Sequence, residues 1–586
     1  MKCHLTGADI RDNYLEELLK QRGVEDIESF LHPQHTALQN FNHLDNIQAG
    51  IDLINQVIIN NGRILIIVDC DTDGVTSAAI IYNYLKKMDT PGVEIDYVMH
   101  AKKQHGLEDH IENILKSDVY YDLIIQPDSG SNDLEYHKQL EEIGTKVLIL
   151  DHHLLEKEVN SNVVLINNQT SDRYTNKDLT GAGVAYQFCR ALDFYYGHFY
   201  SEDLVDLAAL GIIGDMGSVL DVENRYIIKK GLENIRNKMF WTILEKQAYS
   251  ITGKTSPTTE ELLEKTTPIS VAFYIVPLIN AMIRVGTLEE KYRLFLAFID
   301  GDQLVPSNKR GAKGTFEKVA IESVRECVNA KSKQGRILDN IEQSLEAKIY
   351  KHDLLSNKIL FIRLEEEDDF PSEINGLVAM RCAAKYKRPT IIARLNKEGY
   401  DRGSIRGLNQ SALTSFKQFL ESSELFEYVQ GHDNAAGCSI LDKNLQRFHE
   451  YANEALKDMD FGENYYDVDF VRFAADADIP QLVFDLNRYK GIYGQNNNEP
   501  LIHIKNINLS AGDYQIIGSK KDTVRFTKFG VVYIKFQAKE LIEELSKLNN
   551  IQLEVVGTTN INEWCGNCTP QIMIKNYEVR DGSLAF

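Results

Sequence analysis

The chain has 586 residues, 26% of them charged and 43% hydrophobic, which excludes a disordered or collagen-like polymer and, at roughly 100–200 residues per domain, a single compact core. Its 64 basic and 86 acidic side chains leave a net charge of −22, the wrong sign for a protein that coats nucleic acid by bulk charge, so any such contact must come from a local basic channel. The eight cysteines are scattered and the start, MKCHLTGADI, lacks the basic-then-apolar order of a signal peptide, which predicts reduced thiols in a cytoplasm.

Residues 1–60 read as an N-terminal helical segment, with LEELLKQRG and the periodic apolar positions of LDNIQAGIDLINQVIINNG stopped at Gly23 and Gly62. From Arg63 the texture changes. ILIIVD, EIDYVM, DLIIQPD, KVLILD and NVVLI are short, β-branched apolar runs that alternate with amphipathic stretches, the pattern of a parallel sheet covered on both faces. This predicts an α/β domain over residues 61–220. Residues 221–355 read as helical, ending in a long connecting helix from about Phe316 to Leu354. Within them the apolar run Ile269 to Ile283 is broken by Pro277 and Asn280 and is too short to span a bilayer, so no membrane segment is expected.

Residues 356–455 form a second α/β region, with KILFIRL, a helix over Asn375 to Tyr386, PTIIARL and the glycine-bearing GHDNAAG. In residues 456–586 a polar linker, LKDMDFGENYYD, precedes four strand-like pieces and one helix, KELIEELSKL, as in a small five-stranded barrel. Cys565 and Cys568 have metal-like spacing, but no second pair completes a zinc site, so they read as flanking a turn. GAGVAYQF (181–188) lacks the third glycine of a dinucleotide fingerprint and reads as helix packing.

Three of the apolar runs end in an acid, at Asp69, Asp128 and Asp151, and ligands of open α/β sheets bind at the carboxyl ends of strands. Asp69, Asp71 and Asp73 lie in one five-residue stretch ahead of a helix predicted to begin near Thr76. They would repel one another without a cation between them, and all-oxygen donors favour magnesium or manganese. A calcium loop of this type needs a bidentate Glu at its twelfth position, where this chain has Ile80. Asp151-His152-His153 adds imidazoles, one able to ligate metal while the other faces substrate. Asp215, between Gly214 and Gly217, follows a further apolar segment.

The motifs DCDTDG, PDSG, DHH and GDMGSV, in that order, resemble those of the DHH phosphoesterase superfamily, most closely its RecJ-like single-stranded-DNA-specific exonucleases. The likeness continues through PLINAMIR, SEINGLVAMRCAAKYKRP, RGSIRG, QGHDNAAG, YGQNNNEP and NEWCGN, and so spans nearly the whole chain. Gln430 and Ser129 replace a usual glycine and asparagine, and Leu278, Met282 and Ile283 alter the PLINAMIR segment. None of these changes removes a metal ligand that the resemblance implies.

What the resemblance implies is a multidomain α/β protein: a parallel-sheet DHH catalytic domain, a long connecting helix, a second α/β associated domain and a terminal OB-fold barrel. It implies a metal-dependent 5′-to-3′ exonuclease that degrades single-stranded DNA in recombination or repair. Two divalent cations, Mn or Mg, would be held by Asp69, Asp71, Asp73, Asp128, His152 and Asp215, with Asp128 as the bridge. Ions about 3.5–4 Å apart clamp the attacking and leaving oxygens of an in-line displacement. His153 would contact the scissile phosphate and Asp151 would orient the ring. Lys102, Lys103, Asn280, Arg284, Arg381, Arg402, Arg406, Gly431 and His432 are the substrate-binding candidates. A monomer with a single-strand-binding protein or helicase as partner is expected on the same ground. Two alternatives stay open: a phosphodiesterase for RNA, short oligonucleotides or cyclic dinucleotides, and a catalytically inactive DNA-binding scaffold.

Overall fold

A computed structural model describes residues 1–586 apart from 103, 157, 313, 366, 367, 369, 565, 566, 585 and 586, and describes only the backbone of 490, 564 and 584. Its residues gather into two units, one of Val24–Gln334 with Tyr489–Asn498, the other of Met1–Gly23, Gly335–Arg488 and Glu499–Phe586.

The expected N-terminal segment 1–60 is therefore not one piece. Lys2–Leu5 forms a strand, β1, so the start of the chain is not wholly helical. The strand is too short to show a period of its own, and it pairs with a partner more than 400 residues away, as described below. The helix Ile47–Asn60 instead packs into the first-named unit, where Gly50 lies so close to Ile166 and Phe188 that a Cβ would come within 2.9 Å of each.

The sheet of that unit has strands β2 (Arg63–Val68), β3 (Glu94–Met99), β4 (Leu123–Pro127), β5 (Lys146–Asp151) and β6 (Val163–Asn167). All pair in parallel, in the order β3-β2-β4-β5-β6. The central strands β2, β4 and β5 are buried almost throughout, which explains their unbroken Ile, Leu and Val runs. The helix after β2 spans Thr72–Lys87 and starts four residues earlier than its composition predicts, because Asp71 caps it by accepting from the Gly74 N–H at 3.0 Å.

Residues 221–355 are mostly helical, with one hairpin, β7 (Leu304–Pro306) and β8 (Phe316–Lys318), before the 33-residue helix Val319–Lys351. The stretch Pro268–Val285 has the length and mean hydropathy, 1.6, of a membrane crossing, but 61% of it is buried inside the protein. It consists of two helices, Pro268–Tyr274 and Val276–Val285, that meet at Ile275.

In the other unit β9 (Leu360–Leu364), β10 (Thr390–Leu395), β11 (Tyr400–Arg406), β12 (Phe426–His432) and β13 (Ala435–Leu441) form a mixed sheet, ordered β12-β13-β11-β10-β9. Strand β14 (Tyr465–Val468), inside the expected linker, pairs in parallel with β1. The tail contains seven paired strands instead of five: β15 (Phe470–Phe473), β16 (Leu501–Ser510), β17 (Tyr514–Ile517), β18 (Thr523–Lys528), β19 (Val531–Lys535), β20 (Asn550–Trp564) and β21 (Asn567–Asp581). Their order is β15-β16-β20-β21-β19-β18-β17. A second helix, Ile479–Leu486, joins Lys539–Leu545. Cys568 lies on β21, and Cys565 falls outside the described residues. The segment 489–498, expected within the tail, belongs to the first-named unit, where Arg225 donates to the Gly491 carbonyl at 3.0 Å and the Val219 N–H to the Gln495 carbonyl at 3.1 Å.

Candidate metal centre

Six acidic groups and two imidazoles gather at the carboxyl ends of β2, β4 and β5. Donor atoms of Asp69, Asp71 and Asp128 lie within 4.8 Å of one another, as do those of Asp73, His152 and Asp215, and those of Asp128, Asp151, His152 and His153. Asp69 leaves β2 and is kept close to the next helix by Gly74, where a Cβ would stand 2.5 Å from the Asp69 Cβ. Asp128 follows β4 with φ 62°, a left-handed conformation that costs a non-glycine residue energy and is enriched at functional sites. Its N–H donates to the Leu150 carbonyl at 2.8 Å.

Asp73 lies in the first helical turn and accepts three donors from another element: the Thr180 hydroxyl at 2.9 Å, the Gly181 N–H at 2.8 Å and the Ala182 N–H at 3.1 Å. The N-terminus of helix Gly181–Tyr196 thus holds this carboxylate. Gly181 also approaches Asp128 so closely that a Cβ would fall 2.5 Å from its Cβ and Oδ1. The GAGVAYQF segment, read from sequence as helix packing, is therefore also a carboxylate holder. Asp215 ends helix Val205–Gly214, where Gly211 leaves room for Asp73.

The electrostatics are those of a site made for cations. Burial, then the charges of Asp73, Asp71, Asp69 and Asp151, push the Asp128 carboxyl well above its ordinary range. Burial and the charges of Asp215 and Asp71 do the same to Asp73, and burial raises Asp69 against the hydrogen bond from His105. Asp215 is pushed up to about 7 by burial and then by Asp71. Oδ1 of Asp69 and Oδ1 of Asp128 are buried with no hydrogen-bond partner. Buried acceptors are almost always satisfied, so these two oxygens call for a ligand, and the oxygen-rich donor set fits a hard divalent ion.

The two histidines differ. His152, whose Nε2 lies 3.2 Å from Asp128 and 3.5 Å from Asp215, is lowered to about 4 by burial and so is neutral at neutral pH, the form able to ligate a metal. His153 pairs through Nδ1 with Asp151 Oδ1 at 2.7 Å, and this bond raises it to about 9, so it is cationic at neutral pH. Burial favours the neutral form of Asp151, but the bond from His153 and the charge of that ring outweigh it and hold the carboxyl well below its usual range.

Asn280 reaches this cluster, because its Oδ1 accepts from the Thr72 hydroxyl at 2.9 Å. Arg284, one helical turn on, is partly buried; burial lowers its pKa against the opposing pull of Asp71. Lys102 is exposed, and Lys103 falls outside the described residues. The other candidates lie on the second unit and are described within it. Arg402 and Arg406 share one face of β11, opposite the fully buried Ile405. Arg406 and His432 both lie level with Ala435 on the strand between them. Gly431 has φ 132° and meets Ala435 and Ala436 so closely that a Cβ would be 2.8 Å from the Ala435 carbonyl. Arg381 is engaged by Asp339 at 2.5 Å and Glu342 at 3.6 Å.

Sequence reasoning missed Thr180, Gly181 and Ala182, and also His105, whose Nδ1 is 2.6 Å from Asp69 Oδ2. A glycine at a helix start was the one available signal for the first group. Nothing in the spacing marked His105.

The model of the DHH family N-terminal domain matches residues 63–212, and that of the RecJ OB domain matches residues 475–576. A putative SPbeta prophage-derived single-strand DNA-specific exonuclease of Bacillus subtilis is 36% identical over 99% of this chain and 98% of its own length. The single-stranded-DNA-specific exonuclease RecJ of Bacillus subtilis is 25% identical over 97% of this chain and 68% of its own. The crystal structure of RecJ in complex with Mn2+ from Thermus thermophilus shares the fold, with a TM-score of 0.70 at 18% identity, covering 99% of this chain and 80% of that one. The near full-length match at 36% identity, together with the two domain models, shows that the chain belongs to the RecJ-like single-strand-DNA-specific exonuclease family of the DHH superfamily.

Proposed function

We propose that the chain is a divalent-metal-dependent exonuclease that degrades single-stranded DNA from its 5′ end to 5′-mononucleotides in recombination or repair. The observation that carries this reading is the gathering of Asp69, Asp71 and Asp128, and of Asp73, His152 and Asp215, into adjoining donor groups at one end of the sheet, with two buried carboxylate oxygens lacking hydrogen-bond partners. Two ions, manganese or magnesium, would be held there, one by Asp69, Asp71 and Asp128, the other by Asp73, Asp128, His152 and Asp215. When bound, such ions supply Lewis-acid stabilisation and lower the pKa of water at neutral pH.

The chain's own residues do the rest. The cationic His153 faces the scissile phosphate, where it neutralises developing charge and donates its Nε2 proton to the departing 3′-oxygen. Asp151 fixes the ring through Nδ1 and favours its protonated form. Arg284 and Asn280, beside the cluster, and Lys102, in the loop after β3, bind the strand's phosphates, and Lys103, outside the described residues, is proposed with them. On the second unit, Arg402, Arg406, Gly431 and His432 are the proposed substrate contacts, and Arg381 is available to a phosphate only by giving up its ion pairs with Asp339 and Glu342. The domain assignment proposed with this function is a catalytic domain at 61–220, a connecting region at 221–355, a substrate-binding domain at 356–455 and an OB domain at 456–586 without its 489–498 segment, while the N-terminal stretch 1–60 is divided at Gly23 between the two units. A cytoplasmic monomer with a single-strand-binding protein or helicase as partner completes the reading.

The test is a time course with purified protein and manganese on matched 5′-labelled and 3′-labelled strands of DNA and RNA, with a duplex control. Immediate release of labelled mononucleotide from 5′-labelled DNA and an inert duplex are expected. Cleavage confined to RNA, or tight binding without any cleavage in either metal, would overturn the reading.

A further inference from the structure

Donor atoms that the nuclease chemistry does not use gather about Asp69. Sγ of Cys70 lies 2.6 Å from the Gln104 carbonyl, and Nδ1 of His105 lies 2.6 Å from Asp69 Oδ2. A carboxylate oxygen of Asp69, the Cys70 sulfur and a His105 nitrogen all fall within 4.8 Å of one another. A further imidazole lies beside Asp69. The His100 side chain is completely buried, neither of its ring nitrogens has a hydrogen-bond partner, and its Nε2 is 4.0 Å from Asp69 Oδ1.

A buried cysteine ordinarily packs as a small hydrophobe, and a buried imidazole ordinarily finds a partner for at least one nitrogen. Here the thiol faces a carbonyl, a carboxylate and an imidazole, while His100 is left with none. Cys70 occupies one of the variable positions of the DxDxDG motif, so the hard-ion chemistry does not require sulfur there. Thiolate, imidazole and carboxylate together are the donors of zinc-class ions, whereas magnesium takes oxygen.

We propose that Asp69, Cys70 and His105, with His100 as an additional nitrogen donor, form a binding site for a borderline-soft divalent ion of the zinc class. The site shares Asp69 with the catalytic cluster, so filling it withdraws that carboxylate and inhibits manganese-supported cleavage. The inhibition rests on the nuclease reading; the binding does not.

The full-length protein, freed of metal, is titrated with cobalt(II) as a spectroscopic stand-in for zinc. A thiolate-to-cobalt charge-transfer absorption that saturates near one equivalent and disappears in Cys70→Ser is expected. In the nuclease assay Cys70→Ser retains the manganese-supported rate and needs at least about tenfold more zinc for half-inhibition, and His105→Gln shows the same rise in the zinc requirement. No thiolate band, or a band that survives Cys70→Ser and so arises at another cysteine, would overturn the site. A Cys70-dependent band in a protein without nuclease activity would sustain the site and remove the function proposed above.

Discussion

In the parallel sheet, Asp69 and Asp128 are buried with one oxygen each that has no hydrogen-bond partner, that of Asp128 lying 3.2 Å from the neutral His152 ring, whereas in the mixed sheet the equally buried Asp401 is gripped by Arg363, which donates to its Oδ1 at 2.9 Å and also to Oδ2. Arg363 also reaches Asp442, and Arg381 in the same unit is taken up by Asp339. Both regions are five-stranded α/β sheets with similar apolar runs. The difference lies in how charge is compensated. A buried carboxylate with its own arginine is compensated within the protein, while a cluster of carboxylates that repel one another is compensated only when a cation arrives. The uncompensated cluster is the one proposed as the metal site, and the paired charges hold the fold.

The largest effect expected from breaking this contrast is at Asp128. Asp128→Asn removes the proposed bridging ligand and should lower metal-dependent hydrolysis on the order of 10³-fold or more while single-strand binding persists. It also removes a charge that burial and four neighbouring carboxylates oppose, so the metal-free variant should melt at a higher temperature than the metal-free parent. Loss of binding together with cleavage in a folded variant would show that Asp128 serves the substrate site as well. Gly181→Ala should act next, because the new Cβ would stand 2.5 Å from Asp128. A displacement of about 1 Å in a catalytic group costs about 10²-fold in rate, and circular dichroism should be unchanged.

The mixed sheet gives the opposite behaviour. Arg363→Met strands Asp401, whose side chain is wholly buried, and should cost about 3 kcal/mol in urea unfolding, the low end for a broken buried pair because Arg363 itself is 32% exposed. Arg363→Met with Asp401→Leu should recover most of that loss, with little change in metal affinity. An equal loss in the double variant would mean that packing, not charge, is what the pair supplies.

Much of this contrast is visible in the sequence on the catalytic side and little on the other. Asp69, Asp128 and Asp151 each end an apolar run, and period and burial place such residues at the edge of a parallel sheet whatever surrounds them. The supports of the cluster leave no such trace. Thr180 and Gly181 reach Asp73 across 107 and 108 residues, and His105 arrives on a loop with no periodicity. The pairing of β1 with β14 joins residues 463 apart, which no local pattern encodes. Strands β15 and β17, four residues each, are shorter than the window in which alternation can be recognised, so the tail reads as five strands and folds with seven. Arg381 has the composition of a phosphate ligand, yet its ion pair with Asp339 depends on helix packing.

The smallest effect concerns protons and separates the cluster from the paired charges most directly. Asp215, at about 7 in the absence of metal, is protonated in part at neutral pH because it is buried beside Asp71. An ion that binds there must displace that proton, so the apparent manganese affinity should fall about tenfold per pH unit below 7 and level off above it as far as this group is concerned. The same raised value works against the metal-free fold. Since the folded pKa exceeds the ordinary 3.8, the folded protein binds more protons between those two values, and the group's contribution to stability falls as pH rises from 3.8 to 7. Asp215→Asn should therefore flatten the manganese titration between pH 5.5 and 7 and stabilise the metal-free protein at pH 8 but not at pH 4. Manganese binding followed by electron paramagnetic resonance, with urea melts at the same pH values, measures both. A slope that persists in Asp215→Asn would assign the proton to Asp73 or Asp128, whose carboxyls are also raised, and would make Asp215 the weaker member of the cluster.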